Sequence, residues 1–107
     1  MKYKGPTPSD EFTKRNEVKV KHYVYILECS DGSLYVGCTN NIEKRLKEHN
    51  GSRYGAHYTK IRRPVKLKYH EIFESLKDAR SREFEIKKWR REKKKNLIRY
   101  GHPNGKR

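Results

Sequence analysis

The chain has 107 residues, with 28 Lys and Arg against 13 Asp and Glu, which gives a formal net charge of +15. This length allows one compact domain, and the surplus of positive charge calls for an anionic partner, most commonly nucleic acid. A membrane partner is disfavoured because no apolar run approaches the roughly 20 residues that span a bilayer.

The first 21 residues mix Pro, Ser, Asp, Glu and Lys without any sustained period, and they predict a flexible basic arm. They contain no apolar stretch of the kind found in a signal peptide, so a cytoplasmic or intracellular protein is expected. Cys29 and Cys38 lack CxxC spacing, which disfavours a structural zinc site or a disulfide framework.

Residues 23–29 and 34–38 are rich in β-branched and aromatic types, and the residues between them predict a β-hairpin. A three-residue loop with Gly32 in the left-handed position would put Tyr25 and Tyr35 on one face of the sheet, whereas a two-residue turn would separate them. Because glycine occupies the third position of the loop, the three-residue loop is favoured, and with it a shared face for the two tyrosines. The alternative is that both tyrosines are ordinary strand formers.

The rest of the chain continues with a helix from residue 42 to about 50, ended by Gly51, and a polar loop over residues 52–63. Residues 65–73 alternate as a third strand, and Ser75 begins a long helix that runs to about residue 91. A short helix over 93–100 and a tail over 101–107 follow. The predicted fold of residues 22–100 is an α/β sandwich of order β-β-α-β-α-α, with a mostly antiparallel three-stranded sheet flanked by helices.

Charged residues interrupt the apolar stripes of both main helices. Glu83 falls on the stripe formed by Leu76, Ala79 and Ile86, while Arg45 and His49 lie one turn apart on the inner face of the first helix. Ordinary explanations are a salt-bridged Glu at the edge of the stripe, and long side chains that reach out to water. Together with two tyrosines, however, the set is typical of phosphate ester hydrolysis.

Four blocks at family spacing make the chain resemble the GIY-YIG nucleases. They are Tyr23-Val24-Tyr25, then Tyr35-Val36-Gly37, then residues 41–49 with Arg45 ten residues past the second Tyr, and finally residues 79–89. The resemblance covers residues 22 to about 98. It departs from the family pattern in having Tyr23 in place of Gly, and Cys38 where some members carry a basic residue. A family Asn falls at Lys95 or Asn96.

The resemblance implies a role for each matched residue. Glu83 would coordinate one Mg²⁺ or Mn²⁺, and Arg45 would stabilise the phosphate in the transition state. Tyr25 and Tyr35 would orient or deprotonate the attacking water with help from His49. A free phenol has a pKa near 10 and is a poor base at neutral pH, so Arg45 and the metal are expected to favour its ionised form.

Binding to nucleic acid, DNA rather than RNA, must come from the surface of the domain itself, and no small-molecule cofactor is expected. Tyr54 and Tyr58 would stack on unpaired bases, although charge runs are usually only solvated faces. Phosphate contacts position a protein without reading bases, so sequence-specific cutting is not expected. The predicted contact residues are Arg53, Tyr54, Tyr58, Lys60, Arg62, Arg63, Lys87, Lys88 and Arg91.

Three functions are compatible with these patterns. The first is a metal-dependent nuclease that hydrolyses phosphodiester bonds and prefers a structured or single-stranded substrate. The second is a nucleic-acid-binding module that kept the fold without catalysis, for which a carboxylate at Glu83 in an apolar stripe has no use. The third is a basic adaptor within a protein complex. Metal-dependent cleavage separates the first from the other two.

Overall fold

The computed structural model describes residues 20–101, so the predicted N-terminal arm and C-terminal tail lie almost entirely outside the described residues. Within residues 20–101, three strands and four helices follow one another in the order β-β-α-α-β-α-α. Their bounds are β1 His22–Glu28, β2 Leu34–Thr39, α1 Ile42–Gly51, α2 His57–Lys60, β3 Lys66–Phe73, α3 Leu76–Lys87 and α4 Arg91–Tyr100.

The strands form one antiparallel sheet in the order β2-β1-β3, which confirms the predicted fold class. In the hairpin loop the Cys29 N–H donates to the Ser33 carbonyl at 2.8 Å, and Gly32 has a φ of +84°. This is the three-residue loop with a left-handed glycine. Tyr25 therefore pairs with Gly37 while Tyr35 pairs with Leu27, and both tyrosines lie on one face, as predicted.

Helices cover both faces of the sheet. One face buries Val24, Ile26 and Val36 against side chains from α3 and α4, among them Ala79, Ile86 and Leu97. On the other face, Tyr25 and Leu27 pack with Val65 and with Leu46 of α1. The aromatic pair of the hairpin thus shares its layer with α1, while α3 lies in the opposite layer.

The ends of the helices differ in part from the prediction. Ser75 caps α3 as expected, since its side chain accepts from the Asp78 N–H at 3.0 Å. The helix then ends at Lys87, earlier than the predicted residue 91, because the Lys88 and Trp89 N–H groups bond to carbonyls three residues back. This tight turn allows α4 to begin at Arg91 and pack its Leu97 side chain into the core.

Three further details correct the prediction. Gly51 is the last residue of α1 and not its stop, since Ser52 provides the extended C-cap. The loop over 52–63 contains the short helix α2, which its polar composition did not indicate. Leu76 is 47% exposed and does not belong to the buried stripe of α3.

An ion pair fixes α3 to the sheet. Arg82 donates to both carboxylate oxygens of Glu71 on β3, at 2.8 and 2.9 Å, and the Tyr69 hydroxyl donates to the same carboxylate at 2.6 Å. Two-point contacts of this kind restrict orientation as well as distance. They hold the helix that carries Glu83 in one position on the sheet.

Within residues 20–101, no helix combines the length and apolar character needed to cross a membrane.

Candidate active site

Tyr25 lies in the central strand and extends over Gly37 of the edge strand β2. Its side chain is only 3% exposed. A Cβ atom at position 37 would overlap the Tyr25 hydroxyl and its ring carbon, so the site requires a residue without a side chain there. Gly37, the last residue of the second tripeptide, therefore leaves room for Tyr25, the last residue of the first.

A chain of hydrogen bonds leads inward from Tyr25. Its hydroxyl lies 2.8 Å from His49 Nε2, and His49 Nδ1 lies 2.7 Å from the hydroxyl oxygen of Thr59. Thr59 in turn donates to the Ala56 carbonyl at 2.9 Å. His49 and Thr59 are fully buried. Tyr25 and His49, both predicted as site residues, are therefore joined by a hydrogen bond, and Thr59 adds a third side chain to the chain of bonds.

Burial decides the protonation of both groups in this pair. It raises the pKa of Tyr25, and the charges of Tyr35 and Glu83 add to the rise. Arg45 opposes these effects, as expected from sequence, but does not overcome the burial. Burial and then the Arg45 charge lower the pKa of His49 to about 4. In the protein alone, burial therefore keeps the phenol and the imidazole uncharged at neutral pH. The expectation that Arg45 together with a bound metal favours the ionised form of Tyr25 stays a prediction.

Arg45 lies beside the phenol and is held in place from two sides. One terminal nitrogen donates to the Glu48 carboxylate and to the Tyr54 carbonyl, each at 2.8 Å. The guanidinium also acts on the Tyr25 phenol, with which it lines a small cavity, and it keeps a side-chain exposure of 28%. Because a guanidinium has five N–H donors in a fixed plane, donors remain for a phosphate.

Aromatic side chains continue from the buried pair to the surface. The Tyr35 ring lies 5.2 Å from the His49 ring and 6.0 Å from the Tyr58 ring, measured between centroids. The Arg62 guanidinium covers the Tyr58 ring at 3.9 Å and pairs with Asp31 of the hairpin loop at 3.2 Å. The structure thus connects α2 to the hairpin through an edge-to-face ring contact, a tilted ring contact and an ion pair.

Glu83 lies on α3 and is 8% exposed, so a carboxylate occupies the buried face as predicted. It pairs with Lys87 at 3.0 Å and with Arg80 at 3.6 Å. Burial is the main cause that raises the pKa of the Cys38 thiol, and the negative charge of Glu83 is the second. The same charge also raises the pKa of Tyr25. Cys38 packs on the α3 side of β2, whereas its neighbour Gly37 accommodates Tyr25 on the other side. Glu83 therefore approaches the same part of β2 from the opposite layer.

Glu83 is the candidate metal ligand, and its surroundings limit how a metal would bind. Among residues 20–101 no group of three or more His, Cys, Asp or Glu side chains is arranged to hold an ion. Mg²⁺ commonly keeps several waters and binds through one or two carboxylates together with substrate phosphates. A single, nearly buried carboxylate fits that mode of binding and does not fit a closed protein cage.

The predicted nucleic-acid contacts lie in different places. Tyr54 is 62% exposed, and the Arg53 guanidinium lies 5.1 Å from its ring. Arg63 is half-buried and donates to the carbonyls of Glu48, His49 and Ser52, which caps the end of α1. The other predicted contacts are Tyr58, Lys60 and Arg62 around α2 and Lys87, Lys88 and Arg91 near the junction of α3 and α4.

Asn96, the uncertain family position, lies on α4 beside a cavity of about 510 Å³ near the hairpin end of the sheet. Neither Tyr25 nor Arg45 lines this cavity.

Sequence reasoning did not identify Thr59. A threonine in a polar loop carries no signal by itself, and only the fold brings it to His49.

The lowered pKa of His49 makes a prediction for stability. The unfolded histidine, with a pKa of 6.5, takes up a proton well before the folded one, whose pKa is about 4. The folded state therefore gains stability that is fully present above pH 6.5 and is lost as the pH falls toward 4. The free energy of unfolding should lose about 3 kcal/mol from this source.

Urea unfolding between pH 7 and pH 4 measures this loss in wild type and in His49→Gln, which cannot titrate. The stability difference between the two proteins should shrink as the pH falls. His70→Gln, which changes an exposed histidine on β3, is the matched control for replacing a histidine by glutamine. A pH-independent difference for His49→Gln would show that His49 is not held neutral by the fold.

Comparisons with known proteins cover most of the described residues. The family model for the GIY-YIG catalytic domain matches residues 21–96, a range that contains all four sequence blocks. A UPF0213 protein of Syntrophus aciditrophicus (strain SB) is 60% identical over 78 residues, which cover 73% of this chain and 90% of that protein. UPF0213 protein SSP2268 of Staphylococcus saprophyticus is 54% identical over 81 residues, with coverages of 76% and 98%.

A solution NMR structure of the UPF0213 protein BH0048 from Bacillus halodurans is also similar. It shares 45% sequence identity, covers 73% of this chain and 82% of that one, and superposes with a TM-score of 0.48.

Proposed function

Because the chain belongs to the GIY-YIG family, which is a family of nucleases, we propose that it is a metal-dependent endonuclease that hydrolyses phosphodiester bonds in DNA. One observation carries this proposal: the Tyr25 hydroxyl is hydrogen-bonded to a buried His49 while Arg45 lies beside it. A phenol joined to a neutral imidazole and flanked by a guanidinium is suited to the proton and charge changes of phosphate ester hydrolysis.

Each residue then has a distinct task. Tyr25 receives a proton from the attacking water, and His49 receives the proton that Tyr25 gives up. Arg45 neutralises the charge that develops on the phosphate oxygens, which is worth most in a site partly shielded from water. Tyr35 packs against His49 and contributes its hydroxyl to the arrangement of the water.

Glu83 would hold one Mg²⁺ or Mn²⁺ on the other side of β2. The ion supplies charge neutralisation for the phosphate when it is bound. Because Glu83 is a single carboxylate paired with Lys87, the ion would bind only together with the substrate. In this arrangement, residues from the two layers would act on one phosphate.

The substrate is a structured or single-stranded nucleic acid and not a particular base sequence. Tyr54, with Arg53 beside it, offers an exposed ring on which an unpaired base can stack. Lys60 adds charge on α2 for phosphate contacts, which position a strand without reading its sequence. Arg62 lies beside it and contributes positive charge, although its guanidinium already pairs with Asp31. Arg63 is engaged with three carbonyls, so we assign these contacts to its neighbours.

Cleavage of labelled single-stranded, duplex and flap DNA, with Mg²⁺, Mn²⁺ or a chelator, tests the proposal. Metal-dependent cutting is expected, with single-stranded or flap substrates preferred. Matching RNA substrates, included in the same series, should be cut more slowly. Binding without cutting under all metal conditions would contradict the proposal.

A catalytically silent binding module is the second candidate. The ion pairs of Glu83 with Lys87 and Arg80 favour it, because a paired carboxylate also serves a purely structural purpose. This candidate predicts binding that weakens steeply with salt and is unaffected by chelator. The same substrates, followed by electrophoretic mobility shift, distinguish it from the nuclease.

A further inference from the structure

Thr59 is a buried residue with one hydroxyl proton and two polar neighbours. Its oxygen lies 2.9 Å from the Ala56 carbonyl oxygen and 2.7 Å from His49 Nδ1. The carbonyl can only accept, so the hydroxyl proton of Thr59 must be directed to Ala56. The Thr59 oxygen can then only accept from His49, and Nδ1 is the nitrogen that carries the proton.

The same reasoning continues through the imidazole. A neutral imidazole has one N–H, so a proton on Nδ1 leaves a lone pair on Nε2. His49 is fully buried, and its lowered pKa agrees with a neutral ring. Nε2 therefore accepts at 2.8 Å from the Tyr25 hydroxyl, which uses the only proton that Tyr25 has. The lone pairs of the Tyr25 oxygen are then left to accept from Arg45 and, in the proposed reaction, from the attacking water.

We propose that Thr59 is a positioning residue for the hydrolysis: it fixes the proton on Nδ1 of His49 and thereby makes Tyr25 an acceptor toward the attacking water. This inference rests on the proposed function. As the water gives a proton to the Tyr25 oxygen, the Tyr25 proton moves to Nε2. The hydroxide forms a bond to phosphorus, the bond to the leaving oxygen breaks, and that oxygen takes a proton from solvent. The proton on His49 then returns through Tyr25 to solvent.

Without the Thr59 hydroxyl, the direction of every bond in this chain can reverse. A buried N–H without an acceptor is unfavourable, and this favours moving the proton from Nδ1 to Nε2, where the Tyr25 oxygen can accept it. Nε2 would then donate to Tyr25 and occupy one of its lone pairs. Tyr25 would have to present its own proton to the water, which is the wrong polarity for a base.

Two substitutions separate this role from packing. Thr59→Val keeps a branched side chain and removes the hydroxyl, whereas Thr59→Ser keeps the hydroxyl. The Ala56 carbonyl keeps its bonds from the backbone N–H groups of Thr59 and Lys60, at 3.1 and 2.9 Å, so the valine variant leaves no unpaired carbonyl. The tautomer of His49 can be observed directly in the full chain by ¹⁵N NMR of the imidazole nitrogens at neutral pH.

Wild type and Thr59→Ser should show a protonated Nδ1 and an unprotonated Nε2, and Thr59→Val should show the proton shifted to Nε2. On single-stranded DNA with Mg²⁺, Thr59→Val should lose about 10- to 100-fold in kcat with little change in KM. A loss of this size is typical when the hydrogen-bond partner that orients a functional histidine is removed. Thr59→Ser should restore most of the rate.

A wild-type spectrum with the proton on Nε2 would overturn the inference, even if the valine variant failed to fold. Unchanged kcat in a folded Thr59→Val would overturn it as well. If the wild type cut no substrate, the proposed function would fail, while the spectra would still decide whether Thr59 sets the tautomer. The two failures are therefore distinguishable.

Discussion

Glu83→Gln should lower the rate of metal-dependent cleavage by at least about a hundredfold, the loss typical of removing one group that stabilises charge in a transition state. Gln has nearly the same shape as Glu, so the packing of α3 against the sheet should persist. The ion pairs that it loses join Glu83 to Lys87 and Arg80, whose side chains are 50% and 65% exposed and stay hydrated without the carboxylate. The folded state should therefore remain stable while the activity falls.

Glu85→Gln provides the matched control, because Glu85 lies on the same helix with its side chain 57% exposed. The control should cleave at the wild-type rate, and the metal concentration needed for half-maximal activity should rise only in Glu83→Gln. Circular dichroism and thermal melting accompany the assays. Full activity in Glu83→Gln would remove this carboxylate from the mechanism, and unfolding would instead identify it as structural.

Arg45→Ala should reduce kcat by about a hundred- to a thousandfold with a much smaller change in KM. The reason is geometric, because Arg45 is held beside Tyr25 by Glu48 and by the Tyr54 carbonyl. A cation fixed at that point acts on the reacting phosphate more than on the rest of the strand. Single-turnover kinetics with saturating enzyme separate the chemical step from binding.

Lys47→Ala is the control for this prediction, since it removes the same charge from an exposed position of α1. It should weaken binding slightly and leave the single-turnover rate unchanged. An Arg45→Ala variant that lost affinity but kept its maximal rate would make Arg45 an ordinary phosphate contact. Arg45→Lys should recover only part of the rate, because an ammonium cannot reproduce the planar set of donors.

The strand pattern and the loop glycine predicted the sheet well because both depend on local rules. A glycine third in a three-residue loop requires a left-handed φ, and Gly32 has one. The end of α3 was predicted four residues too late because the helical stripe continues through Trp89, whose ring packs beside the core even after the helix ends. That break depends on how α4 folds back, which no local pattern reports.

The site was predictable where a polar residue interrupts a buried face, as for Arg45, His49 and Glu83. Two features were not. Thr59 meets His49 only because α2 folds under the end of α1, and the loop sequence contains no helical period long enough to predict that element. The layer of Glu83 relative to Tyr25 likewise depends on which face of the sheet each helix covers.

The loop over residues 52–63 has both of its ends tied to α1. Arg63 binds three carbonyls at the end of the helix, and the Asn50 side chain exchanges two hydrogen bonds with the backbone of Val65, at 3.0 and 2.7 Å. Ordering a free backbone costs roughly 1–2 kcal/mol per residue. Since folding has already ordered this loop, a strand that stacks on Tyr54, as we propose, would meet a preformed surface, and little of its binding free energy would be lost to loop entropy.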